Sequence, residues 1–522
     1  MPEQLKQNLS KLKQDSGISC LARISHGLEK ESLRVNSEGH IAMTPHPAGL
    51  GSALTHSCIT TDFSEALMEF ITPVYQNPAE SLAFLGDIHA YTYSQLEPNE
   101  LLWTSSMPCI VSRDEDIPLA QYGSSNIGKL KTLYRRGLGY RYGRTMQTIS
   151  GIHYNFSLPE EFWELYHKLA NSGDNLQEFR TRQYFGLIRN FRRYSWLLLY
   201  LYGASPALCK SFVRHNQNHG LESYDQYSLY SPYATSLRMG DLGYTSKAQS
   251  ELYISYNSLH EYADGLLKAI KTPYPPYSRF VTPDGQPAQI NDSVLQIENE
   301  FYSTIRPKRI TKTGQRPVHA LRQEGVEYIE VRCLDLNPFL AVGIDEPQMQ
   351  FLNCFLLFCL LRASPASDRL QYQEIEANLQ AVVKRGRDPK LLLQRHGKSA
   401  SLSDWANEIM LEVMDIAVLL DDIHHSSSHA NATRNELAKV GNPALTPSAK
   451  VLQRMDELKV PYFRFAMEQS LGNSDYFRNR PLDASGMEGF RKMSAVSNLE
   501  RESIEASDTM DFESYVAALN AS

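Results

Sequence analysis

The chain has 522 residues, with 52 Lys and Arg against 59 Asp and Glu and 42% hydrophobic residues, the balance of a folded protein with a large core. Its formal charge of −7 argues against a dedicated nucleic-acid binder, which needs a basic excess to displace counterions from phosphates. Length sets a prior of roughly three domains at about 150 residues each, which one extended core overrides in many enzymes.

Residues 1–17 mix Lys6, Lys11, Lys13 and Asp15 with polar side chains and lack the apolar stretch of a secretory signal, so a cytoplasmic protein is expected. In residues 27–34, a strand reading places Glu29 and Glu31 on one face, because side chains alternate with period two. Residues 61–73 follow with Asp62, and with Glu69 set among large apolar side chains, where an unneutralised carboxylate is costly. Residues 123–130 approach the phosphate-loop pattern, but Leu130 stands where that pattern needs a hydroxyl and no apolar strand precedes it, so the match is set aside as coincidence.

Between positions 129 and 144 lie six basic residues and no acid, interleaved with Tyr134, Tyr140 and Tyr142, and a second basic run spans 305–309. In an acidic chain such runs point to a small anion rather than a polyanion. Residues 151–158 alternate cleanly, with Ile152, Tyr154 and Phe156 on one side and His153, Asn155 and Ser157 on the other. The apolar windows 196–208 and 351–361 fall short of the roughly 20 residues that span a bilayer, so no membrane helix is expected.

A helix is predicted near 251–270, a further alternating strand over 296–302, and another over 325–333 with Tyr328, Glu330 and Arg332 facing away from Ile329 and Val331. Beyond 340 the pattern turns helical, with segments around 372–395 and 402–423 and a break at 441–443, while the cluster His424, His425 and His429 reads as the polar loop after a helix. The expected organisation is a catalytic sheet-plus-helix core over 1–350 and a mostly helical region over 351–522 packed on it, an α+β pattern overall. Seven scattered cysteines without a CxxC argue against disulfides and thiolate zinc, and read as small core residues.

One feature recurs along the strands: Glu29, Glu31, Asp62, Glu69, His153, Glu298 and Glu330 on polar faces with few compensating lysines. Oxygen donors with one imidazole suit hard divalent cations, magnesium first and manganese second. No nucleophile elbow and no HExxH is present, so neither a serine hydrolase nor a zincin is indicated.

The segments GLEKESLRV, GSALTHSCITTDFSEALMEFITP, LAQYGSSNIGKLKTLYRRGL, MQTISGIHYNFSLP, PYATSLRMGDLGYTSKAQS, LQIENEFYSTIRPKR and GVEYIEVRCLDLNPF, in that order, closely resemble the proteobacterial type of glutamate-cysteine ligase. The resemblance implies a curved, mainly antiparallel sheet forming a partial funnel, as in the catalytic fold of glutamine synthetase, with helices outside it. It implies ATP-dependent formation of γ-glutamylcysteine, the first step of glutathione synthesis, through a γ-glutamyl phosphate. It carries Glu29, Glu31, Asp62, Glu69, His153 and Glu330 over as magnesium ligands, and Arg332 and Arg238 as contacts to phosphate or substrate carboxylate. Phe63, Tyr134, Leu138, Gln147, Tyr244 and Tyr302 line the implied cysteine pocket. Glutamate, cysteine and ATP are the expected partners of a monomeric enzyme, with glutathione as a feedback inhibitor and neither nucleic acid nor membrane involved. The rivals are another ATP-dependent carboxylate-amine ligase on the same scaffold and, from other classes, a magnesium-dependent phosphohydrolase or a nucleotide sensor.

Overall fold

Five strands from the first part of the chain, β1 (Ser25–Asn36), β2 (Ile59–Thr61), β3 (Leu67–Ile71), β4 (Glu100–Leu102) and β5 (Ile152–Ser157), begin the central sheet. A separate small sheet contains β6 (Ala207–Cys209), β7 (Glu222–Ser223) and β8 (Ser228–Tyr230). The central sheet is completed much later by β9 (Ile305–Lys308) and β10 (Tyr328–Leu334), in the antiparallel order β2-β3-β1-β5-β10-β9, with β4 paired to the end of β1. The computed structural model describes every residue except 1, 109, 112, 215, 217, 243–246, 251, 286, 312–314, 481 and 522, together with all side chains of the described residues except 2, 247 and 250.

The register follows from the alternation in the sequence. Glu31 lies opposite Glu69, Glu29 opposite His153, and Glu330 opposite Asn155, so the polar side chains share one face. The other face carries Leu28, Ile152, Tyr154, Ile329 and Val331, all fully buried. Behind this face lie two helices, Glu346–Leu361, apolar almost all round, and Leu176–Tyr202, whose polar first turns lead into a buried apolar second half. Asn175 and Asp345 cap their first turns through backbone amides, and Tyr154 Oη donates to Asn353 at 2.7 Å, tying sheet to helix. Gly203 ends the longer helix where a Cβ would press on the Thr235 backbone.

The structure corrects four sequence expectations. The 372–395 segment is not one helix: Arg369–Arg385 is helical, and β11 (Leu392–Arg395) then turns through His396 and Gly397, both at positive φ, into β12 (Lys398–Ser401). The helix near 251–270 starts only at Leu259, where Ser258 caps it. Residues 296–302 do not form a strand, because Glu298–Glu300 is a 3-10 turn. The histidine cluster is a tight corner rather than a loop: the Leu402–His424 helix ends at left-handed His425, and Asp421 receives the His429 and Ala430 amides that start the next helix. Among the described residues no helix is long and apolar enough to cross a membrane, and the six described cysteines are buried free thiols.

Candidate active site

A cavity of about 380 Å³ opens on the polar face of the sheet. Glu29 and Glu31 enter it from β1, Glu69 from β3, His153 from β5 and Glu330 with Arg332 from β10, while Asp62 comes from the turn after β2. Residues more than 300 positions apart in the chain thus converge, because period-two side chains on adjacent antiparallel strands stack on one face. Glu298 does not join them; it turns away to an ion pair with Arg316 at 3.2 Å.

The carboxylates are held individually. His153 Nδ1 is 3.1 Å from Glu29 Oε2, Asn155 Nδ2 donates to Glu29 Oε1 at 2.8 Å, and the Gly151 amide donates to Glu31 Oε2 at 2.6 Å. Glu29, Glu69 and His153 each present one ligand atom within 4.8 Å of the others. Burial, and then the neighbouring Asp62, Glu29 and Glu31, push the Glu69 carboxyl well above the ordinary range. Carboxylates this crowded around one imidazole form a donor set that a hard divalent ion would suit.

Glu330 differs from its neighbours. It is 1% exposed, and burial alone would raise it, but Lys308 at 3.1 Å and Arg332 at 3.0 Å hold its carboxyl well below the usual range. Arg332 is itself raised, burial being outweighed by Glu330 and Glu31, so it remains a guanidinium. Arg238 comes from the short 3-10 turn Leu237–Met239, donates to the Arg332 carbonyl at 3.3 Å and lies 3.9 Å from Asp335. Glycine at 151 is what admits it, since a Cβ there would collide with its guanidinium.

The opposite wall is basic and aromatic. The Asn126–Tyr142 helix supplies Lys131, Tyr134, Arg135 and Leu138 to it, whereas Arg306 and Lys308 come from β9 and line the sheet side of the cavity beside Glu330. The 129–144 basic run marked this wall in the sequence and the 305–309 run marked the edge strand of the sheet, but spacing alone did not distinguish the side chains that reach the cavity from Arg141, which pairs with buried Glu300 at 2.8 Å. Phe63, Tyr134, Leu138, Gln147 and Tyr302 all line the cavity; Tyr244 lies outside the described residues. Gln147 is 2% exposed, and its Nε2 has no hydrogen-bond partner among the described residues. Glu300, unmarked by any motif, accepts from Tyr142 Oη and from the Gln296 amide at 2.6 Å each, which fixes the turn carrying Tyr302.

Comparison with known proteins adds independent findings. The family profile described as glutamate-cysteine ligase matches residues 9–382. The glutamate-cysteine ligase of Pseudomonas entomophila is 50% identical over 97% of this chain and 96% of its own length, and that of Pseudomonas putida is 50% identical over 100% and 99%. The crystal structure of the Francisella tularensis glutamate-cysteine ligase in complex with AMP superposes with a TM-score of 0.90 at 35% identity, covering 96% of this chain and 98% of that one. A bifunctional glutathione synthetase from Pasteurella multocida shares the fold at a TM-score of 0.74 and 24% identity, this chain spanning 58% of its length. With the sequence profile, the relatives and the fold in agreement over nearly the whole chain, this protein belongs to the glutamate-cysteine ligase family.

Proposed function

We propose that the two walls of this cavity divide the work of an ATP-dependent ligation, the acidic sheet face holding metal and phosphates and the opposite wall holding the amine substrate. The reaction itself is that of the family: the γ-carboxylate of glutamate is joined to the amine of cysteine, giving γ-glutamylcysteine, the first step of glutathione synthesis. A carboxylate is a poor electrophile, so its oxygen first takes the γ-phosphoryl group of ATP. The cysteine amine then attacks the γ-carbonyl and phosphate leaves. No protein nucleophile is required, and positioning and electrostatics carry the catalysis.

Glu29, Glu31, Asp62, Glu69, His153 and Glu330 would hold magnesium, with manganese as a substitute. Bound there, the ion would offset the charge of the ATP phosphates. Arg332 sits beside Glu330 with its charge fixed and serves the phosphoryl group in flight, its planar fork matching two oxygens. Arg238, next to it, takes a substrate carboxylate. Phe63, Tyr134, Leu138, Gln147, Tyr244 and Tyr302 enclose cysteine, and the free Gln147 Nε2 is the polar tip available to it.

The observation that carries this reading is the convergence of the acidic strand faces and Arg332 on one cavity with a basic wall opposite. ADP release tests it: ADP should form only when glutamate and cysteine are both present. A phosphohydrolase or nucleotide sensor would not need the amine, and another ligase of this scaffold would prefer a different one. With the reading go a glutamine-synthetase-like funnel, one integrated unit across 1–350 and 351–522, a cytoplasmic monomer, and feedback inhibition by glutathione. Supporting the single unit, the buried Glu346–Leu361 helix crosses that boundary.

A further inference from the structure

We propose that residues 505–520 form a strap that positions the basic and aromatic wall of the cavity, acting on ligation without touching substrate. One end of the strap sits where the near-miss phosphate loop begins. The Ser124 amide donates to Glu505 Oε1 at 2.7 Å and the Asn126 amide to Asp508 Oδ2 at 2.6 Å, while Asn126 Nδ2 donates to the Met510 carbonyl at 2.9 Å. These amides belong to the N-terminus of the Asn126–Tyr142 helix, where unpaired donors and the helix dipole favour negative charge. Gly123, at φ +87°, lets the Glu505 carboxylate approach, since a Cβ would collide with it. The anion seat that resembles a phosphate loop is thus filled by the chain's own carboxylates.

The other end grips the facing segment. Asn520 Nδ2 donates to the Ile290 carbonyl at 3.0 Å, and Asn291 Nδ2 donates back to Asn520 Oδ1 at 3.1 Å. Between the ends, the Phe512–Ala521 helix lies against the Asn126–Tyr142 helix, with Phe512, Tyr515, Val516 and Leu519 half-buried.

From Ile290 and Asn291 the connections run straight into the wall. The Ile290 amide donates to Gln296 Oε1 at 3.0 Å, and Gln296 Nε2 donates to the Tyr134 carbonyl at 3.2 Å. Arg141 Nη2 donates to the Asn291 carbonyl at 2.7 Å, and its Nη1 to Glu300 at 2.8 Å. The strap therefore bridges the two segments that carry Tyr134 and Tyr302, whereas the sheet carboxylates are fixed by strand pairing. A wall held from outside shifts independently of the sheet, so loosening the strap should alter one substrate's affinity selectively. That the substrate is cysteine rests on the pocket proposed above.

The test is the full-length Asp508→Ala/Asn520→Ala variant, assayed for kcat, for the KM of each substrate and for amide hydrogen exchange. The expected result is a rise of about tenfold in the KM for cysteine, with the KM values for glutamate and ATP within about twofold, as a small displacement of a binding group produces. Exchange should quicken over 126–142 and 289–302 but not over β1 and β5, and Asp508→Asn, which keeps an acceptor, should restore most of the affinity. Faster exchange in those segments with a raised KM for ATP or glutamate, and none for cysteine, would uphold the strap and overturn the amine pocket instead. Unchanged exchange, or a lower melting temperature with every KM intact, would overturn the strap.

Discussion

The two faces of the central sheet obey opposite rules. Behind it, Leu28, Ile152, Tyr154, Ile329 and Val331 pack against two helices with scarcely a polar side chain between them. In front, six acidic or imidazole side chains crowd one cavity, and Glu69 feels three other carboxylates. Like charges at such spacing oppose folding. The difference teaches that the back face fixes the register so firmly that the front can keep an arrangement unfavourable by itself and useful only with a ligand.

Substitutions on the two faces should therefore fail in different currencies. The largest effect is expected in front: Arg332→Lys should lower kcat about 10³-fold while leaving thermal melting unchanged, because a point charge cannot replace the fork. Wild-type kcat at saturating ATP would remove Arg332 from phosphoryl transfer. Behind the sheet, Phe355→Ala removes a fully buried ring stacked near Phe191 and Phe351 and should cost about 3–4 kcal/mol in urea unfolding, with all KM values preserved.

Acid should attack the buried side first. Burial holds His26 and His56 at about 4, and the His56 Nδ1 already accepts the Cys58 and Ile59 amides. The unfolded chain protonates these imidazoles near pH 6.5, so their contribution is complete above that value and is lost as pH falls toward 4. At pH 4 each loss reaches about 3 kcal/mol, and His26→Phe, stacking on Tyr154 in its place, should flatten the stability–pH curve there. The smallest effect sharpens the contrast most. Glu69→Gln should stabilise the metal-free protein by about 1 kcal/mol yet lower activity, and melting in EDTA against melting in excess magnesium should show the advantage shrinking as the ion binds.

Much of the front face was legible in the sequence because period-two alternation is a local signal: Glu29 with Glu31, and Glu330 with Arg332, declare a shared face within a few residues. The same signal misled over 296–302, where alternation is present but Arg316 draws Glu298, and Arg141 and Tyr142 draw Glu300, into ion pairs and hydrogen bonds around a 3-10 turn. The β11–β12 hairpin was hidden by a Leu- and Gln-rich run of good helix formers, although His396-Gly397 gave the turn. Arg238 was reached only through the family resemblance, and the strap was not reached at all, for another reason. Their partners, Arg332 and the 124–126 amides, lie far away in sequence, and nothing periodic announces such a meeting.

The strand order also governs how the protein is made. β5 pairs with β10, joining Phe156 to Ile329, so the sheet stays open while the whole intervening stretch is synthesised. A growing chain that has laid down β1 to β5 presents the unpaired edge of β5, with Tyr154 and Phe156 beside it, to any other nascent copy. Closing so long a loop is slow relative to forming the Leu176–Tyr202 helix, which emerges first and covers the apolar back while the edge waits. The cavity therefore cannot form before residues 328–334 leave the ribosome and dock, while the C-terminal helices are still to come.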